Sequence, residues 1–533
     1  MPTNHHTNTF YVSTPIYYVN DRPHIGHCYT TLLADAAARY HRLLDRDVFF
    51  LTGTDEHADR VVTTGAEHGC TPIQWADRNA AEFQRAFSLL KFSHDDFVRT
   101  TQERHTTKVR EFIRRLESKG DVYLGDYEGW YDASQDEYLT ETTAREANFL
   151  SPVTGKPLVR KRERNYFFRL SAYQDRLLKH IETNPGFIRP DARRNEVLGR
   201  IRQGLQDVPV SRAVDPADPA SQWGIRMPDD EQHRVYVWID ALFNYLSVVD
   251  TPDRRKYWPC NAHLIGKDIL WFHAVIWPAM LMSLGETLPG SIVAHSWWVR
   301  EGRKMSKSLG NFLDLPTLLA YAETYSLDSL RWFLLTQGPQ GATDADFAHN
   351  RFVETINADL ANALGNAASR VSNMIDKYFE AKAPDPRAVT TFCDHDWPAL
   401  AQATVDHSLA RLREFDLAGA FQSSLALVRR VDGYINATEP FKIAKDPARR
   451  DDLAVILYHC AQAIRIAGAL LLPAMPEKMG ALLQRYGANP KDSFENLTRW
   501  GTLAPGAHID KGEPLFPRAD PDAPPPTPVV ADA

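Results

Sequence analysis

The sequence predicts an α/β fold, a doubly wound parallel sheet that is split by an inserted segment and followed by a helix bundle. Near the amino terminus, a short apolar strand pattern at 9–13 is followed by an apolar-faced helical pattern at 31–40. Periodicity is lost between about 121 and 230, where short aromatic-rich stretches alternate with turn residues. From about 352 to 483 the pattern is almost entirely helical, with an Ala-rich stripe. We interpret the first part as a Rossmann-type nucleotide-binding fold.

Length, charge and cysteine usage restrict the class of protein. At 533 residues the chain is too long for one hydrophobic core, so several domains are expected. A net charge of -7 argues against binding nucleic acid by bulk positive charge, and local basic patches would be needed. The five cysteines form no close pair, which indicates neither a disulfide framework nor a CxxC metal site. No signal peptide or long uninterrupted apolar stretch is evident, so we expect a cytoplasmic protein.

The first strand-to-helix turn carries two histidines, His24 and His27, on either side of Gly26. An i, i+3 pair projects to one side of a helix, and the amides of a helix N-terminus favour an anion there. The two imidazoles can therefore hydrogen-bond a phosphate. Gly26 has no Cβ, so a flat ring such as adenine could lie against the backbone. A helix start without any ligand is the alternative.

Charged residues later in the chain could act on the same ligand. Lys304 and Lys307 lie in a short segment between glycines, which suits a mobile loop that closes on a polyphosphate. Asp55 follows the second predicted strand, and ligands of doubly wound sheets bind at the carboxyl ends of strands. Asp268 follows a third strand pattern and is a candidate for the adenosine or ribose contact. The alternatives are a solvated basic loop, a turn residue and a helix N-cap, respectively.

The sheet is expected to resume at 234–240, a β-branched and aromatic run. Further aromatic residues follow at 241–245 and 271–277. Ordinary core packing would explain such residues equally well.

Two short stretches together resemble a known family. His24-Ile25-Gly26-His27 and Lys304-Met305-Ser306-Lys307-Ser308 match the paired motifs of class I aminoacyl-tRNA synthetases. The flanking residues, from about 10 to about 500, are similar to the bacterial methionyl-tRNA synthetase family. The resemblance implies ATP and Mg²⁺ as cofactors, with His24, His27, Lys304 and Lys307 in the catalytic and ATP-binding roles.

The resemblance also implies an amino-acid site. Asp55 matches the residue that binds the α-ammonium group of methionine, although this chain has Ala58 where many relatives have Gly. The positions that match the rest of the methionine pocket are Ile16, Trp238, Ala241, Tyr245 and His273. Aromatic rings with one or two hydrogen-bond donors suit an unbranched, polarisable thioether better than a β-branched side chain.

The inserted segment resembles the connective peptide of this family, which in zinc-binding relatives carries a knuckle of cysteines. By alignment, those positions hold Asp132, Gln135, Ser151 and Thr154 here. None supplies a thiolate, and such a set is a poor zinc site. We therefore predict an insert that binds no zinc and is held by packing alone.

The helical region resembles the anticodon-binding domain, which implies tRNA(Met) with anticodon CAU as the partner. Asn366 and Arg370 match two contact positions, and their i, i+4 spacing places them on one helix face. The third contact position, normally Trp, is Phe441, which can still stack on an unpaired base. Past Trp500 the chain is Pro-rich and too poor in apolar residues to fold. No dimerising appendage follows, so a monomer is expected.

The predicted organisation has six parts. They are the first Rossmann half (1–118), the connective-peptide insertion (119–230), the second Rossmann half (231–295), the KMSKS stem-contact region (296–350), the helical anticodon-binding domain (351–505) and the Pro-rich tail (506–533).

Three alternative functions remain open from the sequence. A synthetase for another apolar amino acid is the nearest, although the valine and isoleucine enzymes carry a longer insertion. An adenylate-forming ligase for small acids would not need the helical region. A tRNA-binding paralogue without catalysis would have no reason to keep the two histidines and the two lysines.

Overall fold

The computed structural model describes residues 8–20, 22–132, 137–139, 141–152, 154–300, 302–305, 312–386 and 396–528. The strands are β1 (Thr9–Tyr18), β2 (Asp47–Asp55), β3 (Asp96–Arg99), β4 (Val122–Asp132), β5 (Glu137–Leu139), β6 (Val159–Phe168), β7 (Ile188–Arg189), β8 (Val208–Pro209), β9 (Ser211–Ala213), β10 (Arg226–Met227), β11 (Asp230–Val235), β12 (Ala262–Gly266), β13 (Ser291–His295), β14 (Trp298–Arg300), β15 (Arg303–Lys304) and β16 (Ala345–Asp346).

The helices alternate with the strands at first and then follow one another without interruption. They are α1 (Ile25–Leu43), α2 (Asp59–Glu67), α3 (Pro72–Leu89), α4 (Glu103–Ser118), α5 (Glu141–Glu146), α6 (Gln174–Thr183), α7 (Asp191–Ile201), α8 (Val237–Ser247), α9 (Trp277–Leu284), α10 (Leu315–Tyr325), α11 (Leu327–Gln337), α12 (His349–Thr355), α13 (Asn366–Phe379), α14 (Trp397–Arg413), α15 (Leu417–Thr438), α16 (Pro440–Ile443), α17 (Arg450–Leu471), α18 (Pro476–Arg485) and α19 (Phe494–Thr498).

The central sheet has the strand order β3-β2-β1-β12-β13-β7, and its neighbouring strands pair in parallel. The chain builds outward from β1 through β2 to β3, and later returns to the other side of β1 with β12 and β13. The strand order therefore reverses between β1 and β12, which is where open α/β sheets bind their ligands. The predicted Rossmann-type fold is confirmed.

The prediction that the sheet resumes at 234–240 was wrong. Only the first residues of this run are extended, in β11, which belongs to a separate antiparallel sheet with β9 and β10. From Val237 the chain is helical, and the central sheet resumes at β12 instead. The buried residues of α8 lie on every side of the helix, so the apolar run carries no helical period to distinguish it from a buried strand.

The inserted segment is built on a long antiparallel ribbon. Strands β4 and β6 pair over ten residue positions, from Val122 opposite Phe168 to Tyr131 opposite Val159. The short strands β5 and β8 extend this ribbon into a sheet of order β5-β4-β6-β8. The strand β7 comes from the same stretch of chain but lies at the edge of the central sheet, which joins the insert to the sheet.

The bundle packs around α17, which contacts α13, α14, α15, α18 and α19. The stretch Pro447–Leu471 that contains this helix is long and apolar enough to span a membrane, but 94% of its most apolar 18-residue window is buried inside the protein. Burial of this kind is that of a core helix in a bundle.

The prediction that the chain past Trp500 cannot fold was wrong. Ile509, Leu515 and Phe516 are buried against the bundle. The amide side chain of Asn357 donates to the carbonyl of Ala519 at 2.9 Å and accepts from its N–H at 2.8 Å. The segment needs few apolar residues because it fills grooves on helices that are already formed, and its backbone finds partners there.

A buried ion pair joins the first helix of the sheet to the later helices. Arg331 of α11 contacts the carboxylate of Asp35 in α1 at 2.7 Å, and both side chains are almost completely buried. Arg331 also donates to the carbonyls of Pro473 at 3.0 Å and Ala474 at 2.8 Å. Burial alone would raise the pKa of Asp35, but Arg331, Arg39 and other hydrogen-bond donors hold it below its usual value.

We expect Asp35→Asn to lower the free energy of unfolding by about 3 to 5 kcal/mol, because it leaves the Arg331 guanidinium buried without its counter-charge. The matched control is Arg39→Gln, which removes the partly exposed i, i+4 partner of the same carboxylate and should cost about 1 kcal/mol or less. Urea unfolding of both variants measures the difference. If both variants lost the same free energy of unfolding, the Arg331 contact would contribute no more than the Arg39 contact.

Candidate active site

The two histidines cap the helix that follows β1. His24 is the N-cap of α1, and its Nδ1 accepts the backbone N–H of Gly26 at 3.0 Å. The Nδ1 of His27 accepts the backbone N–H of His24 at 3.3 Å, so each ring satisfies one amide of the helix start. The rings lie with centroids 3.8 Å apart. Burial, together with the neighbouring His24, lowers the pKa of His27 well below its ordinary value.

These caps determine the tautomers. An Nδ1 that accepts a hydrogen bond carries no proton, so the proton of each neutral ring is on Nε2. His24 and His27 therefore each present an Nε2–H donor at the positive end of a helix. Such an arrangement suits a phosphate, as the sequence predicts.

Gly26 is required by the cap itself. A Cβ at this position would lie 2.9 Å from Cε1 and 3.1 Å from Nδ1 of the His24 ring. Any other residue would displace His24 from its capping position. Whether adenine also lies against Gly26 stays a prediction.

The segment after the lysine motif runs beside the histidines. Asp314 forms an antiparallel β-bridge with His24. Next to it, the N–H of Ile25 donates to the carbonyl of Leu313 at 3.0 Å. The centroid of the Phe312 ring lies 4.9 Å from that of the His24 ring. Lys304 lies in β15, opposite Val299 of β14. Lys307 lies outside the described residues. The fold thus brings the chain on the C-terminal side of the lysine motif against the histidine turn.

Asp55 ends β2 and is a buried carboxylate with an unused acceptor. Its side chain is 2% exposed, and its Oδ1 has no hydrogen-bond partner within the described part of the chain. Burial and the nearby negative charges of Asp240 and Glu56 raise the pKa of Asp55 well above its ordinary value. A positively charged ligand would supply the partner that the carboxylate lacks.

Several predicted methionine-pocket residues pack in the same hydrophobic cluster. Trp238 stacks on Phe272 with ring centroids 4.1 Å apart and meets Tyr18 edge-on at 5.9 Å. Ile16 packs against the same apolar cluster, and Ala241 is 7% exposed on α8.

The hydrogen bonds of His273 and Tyr245 determine which of their atoms carry a proton. His273 lies in a π-helical turn, Phe272–Ile276, and its Nδ1 donates to the carbonyl of Ile269 at 2.9 Å. Burial lowers the pKa of His273 to about 4, so the ring is neutral and its Nε2 accepts the Tyr245 hydroxyl at 2.7 Å. The Tyr245 hydroxyl therefore donates its proton to His273, and its oxygen can still accept a hydrogen bond.

The sequence reasoning missed a buried polar network next to these residues. The indole of Trp277 donates to Nε2 of His263 at 3.3 Å, so Nδ1–H of that ring donates to Ser13 Oγ at 2.7 Å. The His263 ring lies 4.1 Å from the Tyr245 ring. The available signal was a polar residue at matching positions of two buried strands, Ser13 in β1 and His263 in β12.

Asp268 lies after β12, at the reversal point of the sheet. Its Oδ1 accepts the indole N–H of Trp297 at 3.3 Å, and its side chain is exposed. The N-cap of the short helical turn here is Gly266, which has no side-chain cap, so the N-cap explanation of Asp268 does not apply. The carboxylate stays available as a hydrogen-bond acceptor for a ribose or base.

The four positions aligned with the zinc knuckle do not form a metal site in the described residues. Asp132 and Ser151 are each 3% exposed, Thr154 is exposed, and Gln135 lies outside the described residues. Ser151 closes a tight turn, with its Oγ accepting the Thr154 N–H at 3.1 Å. The described residues contain no cluster of three His, Cys, Asp or Glu side chains that could hold a metal ion.

The predicted anticodon residues lie at one end of the bundle. Asn366 is exposed at the start of α13, and Arg370 one turn later hydrogen-bonds Asp432 and, at 3.0 Å, Asn436 of α15. Phe441 follows α15 on the short helix α16 and is 44% exposed, so it is not a core residue of the bundle. An exposed ring of this size can stack on a base.

Comparisons with known proteins agree with this geometry. The family model "tRNA synthetases class I (M)" matches residues 10–147 and 146–372. The methionine--tRNA ligase of Bacillus subtilis (strain 168) is 40% identical over 530 residues, 96% of this chain and 78% of that protein. The corresponding Streptomyces coelicolor ligase is 41% identical over 535 residues, 96% of this chain and 97% of that protein.

A solved structure agrees over a similar span. The Mycobacterium tuberculosis methionyl-tRNA synthetase in complex with methionyl-adenylate superposes with a TM-score of 0.86 at 37% identity, covering 96% of this chain and 100% of that one. Sequence and structure therefore agree from the histidine turn to the end of the bundle, and the chain belongs to the class I tRNA synthetases of the methionyl type.

Proposed function

We propose that this protein attaches L-methionine to tRNA in two steps, with ATP as the energy source. The observation that carries the proposal is the buried Asp55 carboxyl group, whose Oδ1 has no hydrogen-bond partner among the described residues and whose pKa is raised by burial and by the charge of Asp240. The ammonium group of methionine would supply the partner that Asp55 Oδ1 lacks. Its thioether side chain would pack against the predicted aromatic pocket residues. The ligase activity of the relatives supports the same assignment.

The first step activates the amino acid. An oxygen of the methionine carboxylate attacks the α-phosphorus of ATP, and the bond from this phosphorus to the bridging oxygen breaks, releasing diphosphate. The carboxylate is already a nucleophile, so no general base is needed. The protein then acts by positioning the two substrates and by stabilising the charge that develops on the leaving group.

The predicted ATP-binding residues each have a role in that step. His24 and His27 donate their Nε2 protons to phosphate oxygens, and Gly26 leaves room for adenine. Asp268 accepts a hydrogen bond from the adenosine moiety. Lys304 and Lys307 neutralise the departing diphosphate. Mg²⁺, when bound with ATP, would add positive charge that stabilises the same leaving group.

The second step transfers methionine to tRNA. The 2′-hydroxyl of the terminal ribose attacks the carbonyl carbon of the adenylate, and AMP leaves. The partner is tRNA(Met) with anticodon CAU, bound through Asn366, Arg370 and Phe441. We further propose a monomeric, cytoplasmic enzyme with the six parts predicted from the sequence.

The purified protein should exchange labelled pyrophosphate into ATP with methionine, and far less with isoleucine, valine or leucine. One methylene in an apolar pocket is worth about 1 to 3 kcal/mol, so some exchange with close analogues is expected. Reactions without amino acid provide the background. If another standard amino acid supported the fastest exchange, the methionine assignment would be wrong.

Phe441→Ala should lower kcat/KM for charging a CAU tRNA, because a stacked base loses the ring that it packs on. The loss should correspond to about 1 to 3 kcal/mol of transition-state stabilisation. Pyrophosphate exchange needs no tRNA and should not change. The half-exposed ring predicts an unchanged melting midpoint. Phe441→Trp should charge as well or better, since the larger ring adds stacking area and a donor.

The matched control for Phe441 is Leu89→Ala, which truncates a side chain of similar exposure, 43%, on α3 of the sheet region. It should leave charging and exchange unchanged. Normal charging by the Phe441→Ala variant would remove this residue from the anticodon contact.

Protein purified without added metal should contain well under one zinc ion per chain. Strong chelators should leave the fold intact, and activity should return when Mg²⁺ is restored. Elemental analysis and a melting curve in chelator measure this. Zinc at one ion per chain would contradict the prediction for Asp132, Gln135, Ser151 and Thr154.

A further inference from the structure

A buried hydrogen-bond network lies next to the proposed amino-acid site and is not used in the mechanism above. Asp240 accepts Nδ1–H of His57 on one oxygen and Nε2–H of His105 on the other, both at 2.6 Å. Beyond it, Nδ1 of His105 lies 2.9 Å from Ser247 Oγ. All four side chains are less than 10% exposed. Burial alone would raise the pKa of Asp240, but the two imidazoles hold it below its usual value.

The network reaches Asp55 through the backbone. The N–H of His57 donates to the Asp55 carboxylate. His57 therefore contacts both carboxylates, Asp55 through its backbone N–H and Asp240 through its ring. The ring of His57 is also confined by Trp223 of the insert, whose centroid lies 5.5 Å away.

Glu56, the residue between Asp55 and His57 in the chain, is held by a different set of hydrogen bonds. Glu56 is fully buried and accepts two hydrogen bonds from Arg99, at 2.7 and 3.1 Å, and one from Thr54 at 2.7 Å. The loop after β2 is therefore pinned at two successive residues. Of the three neighbouring carboxylates, Glu56 and Asp240 have donors on both oxygens, whereas Asp55 keeps one oxygen without a partner in the described chain.

Asp240 also lies on the helix that carries three of the predicted pocket residues. It lies on α8 between Trp238 and Ala241, and Tyr245 follows on the same helix. One carboxylate thus connects the helix that forms the side-chain pocket with the loop that carries Asp55. An amino acid of fixed length must reach both at once, so the separation of these two elements determines whether it fits.

We propose that Asp240 is a positioning residue that acts through His57 to hold the Asp55 carboxylate at the correct distance from the predicted aromatic pocket residues. The inference rests on the proposed contact between Asp55 and the methionine amino group. Loss of the Asp240–His57 contact should weaken binding of the amino group while leaving the thioether pocket intact.

The test compares two probes in the full-length protein by calorimetry. Methioninol has the amino group, whereas 4-(methylthio)butan-1-ol is the same molecule without it. For His57→Leu and Asp240→Asn, we expect affinity for methioninol to fall about 10- to 100-fold, as for misplacement of a binding group. Affinity for the amine-free alcohol should change less than about twofold. In exchange assays, KM for methionine should rise while KM for ATP stays constant.

Two further variants separate positioning from general stability. His57→Asn keeps an N–H donor at the position of Nδ1 and should recover most of the methioninol affinity. Ser247→Ala removes the outer partner of His105, and should lower the melting midpoint without changing the ratio of the two affinities. If Ser247→Ala changed the ratio as much as His57→Leu, or if His57→Asn gave no recovery, the positioning role would be overturned.

Asp55→Asn distinguishes this inference from the proposed function. If Asp55→Asn retained full affinity for methioninol, the amino-group contact itself would be wrong. If Asp55→Asn weakened methioninol binding but His57→Leu and Asp240→Asn did not, the contact would stand and the positioning inference alone would fail.

Discussion

The ion pair between Asp35 and Arg331 is the contact on which the arrangement of the molecule depends. It fixes α1, the helix that begins with the two histidines, to α11 and to the chain after α17. A buried charge pair tolerates little displacement, because moving either partner leaves a charge without compensation in a medium of low dielectric constant. His24 and His27 at the start of α1 are therefore held relative to the helical bundle as well as to the sheet.

The buried carboxylates of the site differ in whether both of their oxygens have hydrogen-bond donors. Glu56 and Asp240 are buried carboxylates with complete sets of donors, whereas Asp55 lies between them in the fold with an oxygen left unpaired within the described residues. A protein that buries an acceptor without a partner loses stability unless a ligand supplies the donor. In the proposed function, the ammonium group of the substrate supplies that donor to Asp55.

The parts of the chain that contact tRNA in the proposal are less constrained. Phe441 is exposed and Arg370 is held by Asp432 and Asn436, so one contact residue is free to stack while another is already oriented. In the insert, Ser151 closes a tight turn and Trp130 packs on Phe149 with ring centroids 4.6 Å apart. Neither feature depends on the chemistry of the catalytic site.

Local features of this protein were determined by the sequence alone. The histidine turn, Asp55 at the end of a strand and the helical bundle all depend on residues near one another in the chain, where periodicity and capping preferences act. The pocket positions were predicted from family resemblance and not from a local pattern. Tertiary structure decided the rest. It made α8 a helix, because a run buried on all sides has no period, and it ordered the Pro-rich tail in grooves that exist only after the bundle forms. The contacts of Asp240 with His57 and His105 also join distant positions of the chain, and no local pattern reveals which buried polar groups will meet.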